Sequence, residues 1–347
     1  MAERTQKWDI LKFFLMFTVV LGHFLDYHAA ESEVIRSAFL FIYSFHMPLF
    51  IFVAGLFSKR MVNERRWEKM LGYLVLYFFT KICVFLYELI FKQETEFRLF
   101  GETGLAWYMF AMFAFSVITV GASRYKPQYV FTVSLLLSLF AGYDSEINHT
   151  LVLSRIIVFY PFYYAGYCLD PKKIEKFSHG VFKKLAAIVV ISAIAAVAFS
   201  IPSVYCVRPM FTGQHPYNTL GAGESFGFLI RLACYAVSAL GCISLVILTP
   251  DRIHPRFIAK CGQYTLPVYI FHYIIKMLLY NTFELKEFFD EPNSWLLVPI
   301  SLAITILLGN KYLNKVVAAV SSLPQIARKN NKTTEEEHQK CPSETTV

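Results

Sequence analysis

An all-α integral membrane protein of about ten transmembrane helices, with both termini cytoplasmic, is the fold class that this sequence predicts. Three observations lead to it. Hydrophobic residues make up 56% of the 347 and charged ones only 17%, too little polar side chain to cover a soluble globule of that size. Apolar stretches near the ~20 residues that cross a bilayer recur along the chain. Lys and Arg gather in alternate loops between them, as they do on the cytoplasmic side of membranes.

The stretches fall at about 9–27, 36–57, 71–91, 104–121, 128–143, 151–169, 183–201, 225–248, 264–281 and 295–310. The fifth and tenth are short, and each reads equally as a re-entrant segment. With the N-terminus inside, the inner loops collect Lys59, Arg60, Arg65, Arg66 and Lys69, then Lys172, Lys173, Lys176, Lys183 and Lys184, while the outer loops hold only Lys92, Arg98, Arg208 and Lys286. The formal charge of +8 is thus a topology signal and an attraction to anionic membrane lipids. No basic stripe interleaved with exposed aromatics points to nucleic acid, and the seven cysteines form no CxxC pair, so no metal is expected. Residues 1–323 read as one membrane domain and 324–347 as a polar, disordered cytoplasmic tail.

Ionisable side chains inside hydrocarbon are costly and usually face the bundle interior, paired or functional. The first span, WDILKFFLMFTVVLGHFLD, carries Asp9 and Lys12 one turn apart, with His23 eleven residues beyond Lys12. At 1.5 Å per residue that is roughly 16 Å along the axis and close to three whole turns, so Lys12 and His23 share a face. The second span carries His46 in SFHMPLFIFVAGLF and the ninth carries His272 in GQYTLPVYIFHYII. Each histidine alone reads as a packing residue, and Asp9 with Lys12 as an interfacial ion pair; three together point to one polar cavity. Arg155 opens the sixth span ahead of a proline-broken aromatic segment, and Pro48, Pro161 and Pro267 each interrupt a span. The outer loop at about 202–224, rich in Pro, Gly and aromatics, is a candidate cap for such a cavity.

With these residues assembled, the chain resembles the membrane acyltransferase-3 family, in particular its fucose 4-O-acetylase-like branch. The resemblance is carried by Lys12 and His23 separated by ten residues, with Asp9 and Gly22; Phe45 to Phe50 with Gly55; Leu105-Ala106-Trp107-Tyr108; Arg155 to Gly166; and Gly262 to His272. Many members have Arg where this chain has Lys12, which makes a point-charge contact to phosphate in place of a forked one.

The resemblance implies transfer of acetyl from acetyl-CoA, the acyl donor and co-substrate, to a hydroxyl of a glycan or lipid-linked sugar in a bacterial plasma (inner) membrane. It implies His23 as general base, Asp9 as the group that fixes Lys12, and His46, His272 and Tyr269 as groups that orient the acceptor or the oxyanion. Lys12 is then expected to hold the CoA phosphates, helped by Arg155 or the basic inner loops. Two other readings stay open from residues alone: a carrier of a small polar solute or lipid-linked sugar, and a membrane partner of a polymer-assembly complex without chemistry of its own. In a cysteine-free background, a Cys placed at Lys69 should react with a membrane-impermeant maleimide only from the cytoplasmic side and one at Arg208 only from outside; the reverse pattern would invert the topology.

Overall fold

The computed structural model describes residues 6–30, 32–91, 104–147, 152–254, 256–290 and 292–328, and they contain helices and turns with no β-strand among them. The first span is α1 (Lys7–His28). It is followed by α2 (Glu33–Tyr43) and α3 (His46–Leu56), which make one crossing broken at Ser44–Phe45. The short α4 (Lys59–Asn63) leads to α5 (Trp67–Phe91), and α6 (Trp107–Ala122), α7 (Pro127–Phe140) and α8 (Leu153–Cys168) follow. Next come α9 (Pro171–Phe177), α10 (Val181–Ser200), α11 (Arg208–Thr212) and α12 (Gly227–Leu248). The chain closes with α13 (Phe257–Gln263), α14 (Thr265–Met277), α15 (Leu297–Leu308) and α16 (Lys311–Ser321).

Length and composition suit five crossings: α1, α2 with α3, α5, α10, and α12 with the 3-10 turns that lead into it. A sixth is added if α15 and α16, bent by 65°, count as one span. The expectation of ten rested on apolar runs and on the alternation of Lys and Arg between them. Several of those runs are divided here between a helix and flanking turns, as in α6 and α8 with 16 residues, α7 with 14 and α14 with 13, short of the ~20 that span hydrocarbon. The expected tail is described only to Arg328, which is helical and pairs with Glu68 on α5; residues 329–347, and Lys92 and Arg98, lie outside the described residues.

The periphery is what a bilayer solvent demands. Beyond Lys183 and Lys184 in its first turn α10 is almost wholly apolar, yet only Ala187 and Ala198 are buried, and Leu185, Ile188 and Val189 stand open to the surroundings. A helix of this composition in water would be driven into a core; in lipid its exposure costs nothing. At the centre stands α1, packed against α2, α3, α13, α14 and α15.

Two devices bring the inner helices close. Gly55 on α3 and Gly166 on α8 face each other's backbones: a Cβ on Gly55 would overlap the Tyr163 carbonyl, and one on Gly166 the Phe52 carbonyl. Small residues thus let two helices approach to backbone contact, the usual way membrane helices associate where lipid removes the hydrophobic drive. The second device is a repaired break. Pro48 has no N–H for the Ser44 carbonyl one turn back, and Ser238 on α12 donates its hydroxyl to that carbonyl at 2.6 Å. The break turns the chain so that His46 opens α3, its Nδ1 on the Ile42 carbonyl at 2.9 Å.

Gly166→Ala should therefore force α3 and α8 apart and cost about 1–3 kcal/mol, the usual range for overpacking, lowering the thermal unfolding midpoint in detergent. Gly121→Ala, with open space around it, is the matched control and should leave the midpoint unchanged; equal behaviour of the two would refute the close crossing.

Candidate functional site

Local periodicity places Lys12 and His23 on one face of α1, and the fold gives each end of that face a different environment. At the Lys12 end lies an open pocket of about 870 Å³ lined by five cations, Lys12, Arg60, Arg66, Lys69 and Lys172, with Asp9, Asp170 and Glu175 among them. Its apolar wall includes Trp8, Phe50, Phe57 and Tyr73. Trp8 donates its indole N–H to Glu175 on α9 at 2.6 Å, tying the two walls together. At the rim Glu64 accepts from Arg66 and, at 3.0 Å, from Arg60. Those bonds hold its carboxyl below the usual glutamate range, so it stays ionised and offsets part of the positive field.

Asp9 organises this end. Buried, it accepts from the Lys12 ammonium at 2.8 Å through Oδ1 and from the Gln263 amide at 3.1 Å through Oδ2. The preceding Gly262 lies so close to the Asp9 carbonyl that any Cβ would collide with it. The glycine of the GQYTLPVYIFH stretch is therefore a seat for α13 on α1, which a motif match alone does not explain. Lys12, about three-quarters buried, keeps its head toward the pocket.

The three histidines gather at the other end. His23 lies against His272 with ring centroids 5.2 Å apart, and Tyr273 covers it edge-on at 5.9 Å. His272, Lys276, His46 and Arg155 all act electrostatically on His23. Their depth is common for a geometric reason. His23 is eleven residues from Lys12, His46 eleven from the pocket residue Phe57, and His272 nine from Gln263, so three helices carry them roughly 14–16 Å from the pocket. None of the three lines the pocket itself. A row of rings leads from it toward them: Phe50 meets Tyr108 at 5.6 Å, and Tyr108 meets Tyr269 at 5.4 Å, one turn below His272.

His272 and His46 are held alike. Each places Nδ1 on a carbonyl of the preceding turn, Val268 at 2.8 Å and Ile42 at 2.9 Å, so a neutral ring donates there and carries its lone pair on Nε2. The Nε2 of His272 is buried and has no partner among the described residues. Tyr43 stands edge-on to His46 at 4.4 Å. The Tyr269 hydroxyl donates to the Leu105 carbonyl, which ties α14 to the chain just ahead of Trp107. Arg155 sits at the far end of α8 from the pocket, twelve to thirteen residues or roughly 20 Å away by helix rise. Its guanidinium lies over Trp107 at 4.4 Å and, with the Gln214 amide oriented oxygen inward, donates to it. The loop at 202–224 closes over this end, with Gln214 on Arg155, Arg208 on Asp26 at 2.5 Å, and the Gly213 carbonyl accepting from Ser154 at 2.7 Å.

The fold thus defines a membrane-embedded helical protein with a cation-lined pocket at one end of a buried helix and a histidine cluster at the other. The acyltransferase-domain profile matches residues 6–309, from the start of α1 to the end of α15. The chain belongs to the acyltransferase-3 family and is accordingly a membrane acyltransferase. No curated protein matches the chain, and no solved structure matches it.

Sequence reasoning missed Gln263, Gln214, Tyr43 and Tyr273, which lack a charge to mark them; Arg66, Lys69 and Lys172 it counted among the basic inner loops without singling them out. Asp9→Asn should weaken both the Lys12 ion pair and one of its hydrogen bonds and lower the unfolding midpoint, whereas Gln263→Leu should cost only about 1 kcal/mol, the worth of one bond. Differential scanning fluorimetry checks the order; a harmless Asp9→Asn would remove Asp9 from its organising role.

Proposed function

We propose that this protein is an O-acetyltransferase of the fucose 4-O-acetylase-like branch, which moves acetyl from acetyl-CoA to a hydroxyl of a glycan or lipid-linked sugar in a bacterial inner membrane. The observation that carries the proposal is the shared face of α1, with Lys12 in a cation-lined pocket and His23 against His272 roughly 16 Å further on. The phosphates of CoA are polyanionic, and its pantetheine arm is of the same scale as that separation. Lys12, Lys69, Lys172 and the two arginines hold the phosphates, and the arm runs along α1 past Phe50 and Tyr108. The pocket draws Arg60, Arg66, Lys69 and Lys172 from the loops read as inner, which supports a cytoplasmic donor side.

A thioester is already activated, so the protein supplies position, a base and charge stabilisation. His23 takes the proton of the acceptor hydroxyl as its oxygen attacks the acetyl carbonyl carbon. The carbon–sulfur bond then breaks, and the proton passes to the departing thiolate to give CoA thiol. His272 packs its ring against His23 and fixes its place, leaving a ring nitrogen of His23 for the hydroxyl. His46 offers Nε2 to the acceptor. Arg155 and Lys276 supply positive charge near the developing oxyanion, and Arg155 belongs to this end and not to the phosphates. Tyr269, its hydroxyl proton engaged by Leu105, positions Trp107 and Arg155. No metal is needed for any step.

Wild-type protein in nanodiscs, given acetyl-CoA labelled in its acetyl group and a mixture of sugars, should bind the thioester saturably and transfer label. Lys12→Ala should weaken binding about tenfold or more, the worth of one charge-assisted hydrogen bond. His23→Ala should bind normally and lose about 10²–10⁴ in turnover, the usual contribution of a general base. Near-normal turnover in His23→Ala, or no binding by the wild type, would overturn the proposal.

A further inference from the structure

The mechanism leaves a second large concavity unused. It is an open groove of about 630 Å³ between α3, α7, α8, α9 and α12, and none of the three histidines lines it. Phe52, Phe162, Ala165, Tyr235 and Ile243 line it, and Lys173 is its one charged residue. The two lining residues with polar side-chain atoms other than Lys173 have turned them inward: the Tyr235 hydroxyl donates to the Val158 carbonyl at 2.5 Å, and the Cys242 thiol to the Phe45 carbonyl at 3.8 Å. Along its length the groove therefore offers hydrocarbon alone, and at its end on α9 an exposed ammonium.

That pattern is the complement of one molecule class. An acyl chain satisfies the apolar length and an anionic headgroup satisfies the lysine, and α9 lies where headgroups belong, just past the end of α8 and next to the cation-lined pocket. A water-soluble anion could match Lys173 but would leave the apolar wall unmatched. The groove also surrounds Pro161, where α8 has lost one backbone bond, so an occupant packs against the least restrained part of that helix.

We infer that this groove is a binding site for an anionic glycerophospholipid of the bilayer, with one acyl chain between Phe52, Ala165 and Ile243 and the phosphate on Lys173. Neighbouring residues of α9 then face two sites, Lys173 the lipid and Lys172 the cation-lined pocket. A bound lipid would hold the wall that α9 contributes to that pocket.

The test is native mass spectrometry of delipidated full-length protein titrated with phosphatidylglycerol and with phosphatidylcholine of the same chains. One retained phosphatidylglycerol should outlast phosphatidylcholine, and Lys173→Glu should weaken it at least fivefold while leaving phosphatidylcholine unchanged. Ala165→Leu should reduce both lipids by filling the groove; if that variant misfolds, Lys173→Glu carries the test alone. Equal retention of the two lipids, or indifference of phosphatidylglycerol to Lys173→Glu, would overturn the inference. Because this readout involves no acetyl-CoA, it stands or falls separately from the transfer reaction.

Discussion

Hydrocarbon offers no hydrogen-bond partner, so the partners that polar atoms brought into this bundle do find come from other parts of the chain. The consequences reach from single carbonyls to the whole arrangement of helices. Pro48 strands the Ser44 carbonyl, and Ser238 on a distant helix comes to cover it. Arg231, almost wholly buried on α12, donates to the Ser138 carbonyl at the end of α7 and stacks over Tyr217 of the capping loop. Asp9 draws in Lys12 from its own helix and Gln263 from α13. These bonds are individually modest, yet each has no alternative in lipid, and together they decide which helices sit beside α1.

Close approach is the second requirement, and glycine supplies it where bonds alone would not. Gly262 admits the backbone of α1 at the Asp9 carbonyl, and Gly55 and Gly166 let α3 and α8 touch. The histidine cluster follows from these seats. With α13 set against Asp9, the helix that continues from it delivers His272 to the depth of His23; with α3 set against α8, its broken start delivers His46 to the same depth. A shift of one turn in either seat would move a histidine by about 5 Å and dissolve the cluster.

The two ends of α1 differ in kind because they meet different surroundings. The pocket end is open, rich in long cations from loops, and balanced by Asp9, Asp170 and Glu175. The histidine end is closed by the 202–224 loop, and its cations, Arg155 and Lys276, lie over aromatic faces: Arg155 over Trp107, Lys276 over Tyr27 and Tyr273. Aromatic faces add favourable electrostatics for a buried cation.

What the sequence by itself determined is what helix periodicity and composition control. The common face of Lys12 and His23 follows from eleven residues being nearly three turns, the all-helical membrane class from the apolar runs, and the break at Pro48 from its missing N–H. The tertiary structure alone decided that His272 rather than His46 lies on His23, that Arg155 stands at the histidine end rather than beside Lys12, and that the Tyr269 proton goes to Leu105. It also decided where helices begin and end, since an apolar run does not reveal whether it is one long helix or a shorter helix with turns. The physical reason is the same in each case. Spacing along one helix is local and periodic, whereas the partner of a side chain depends on which helix faces pack, and in this bundle glycine seats and displaced carbonyls far apart in the chain settle that.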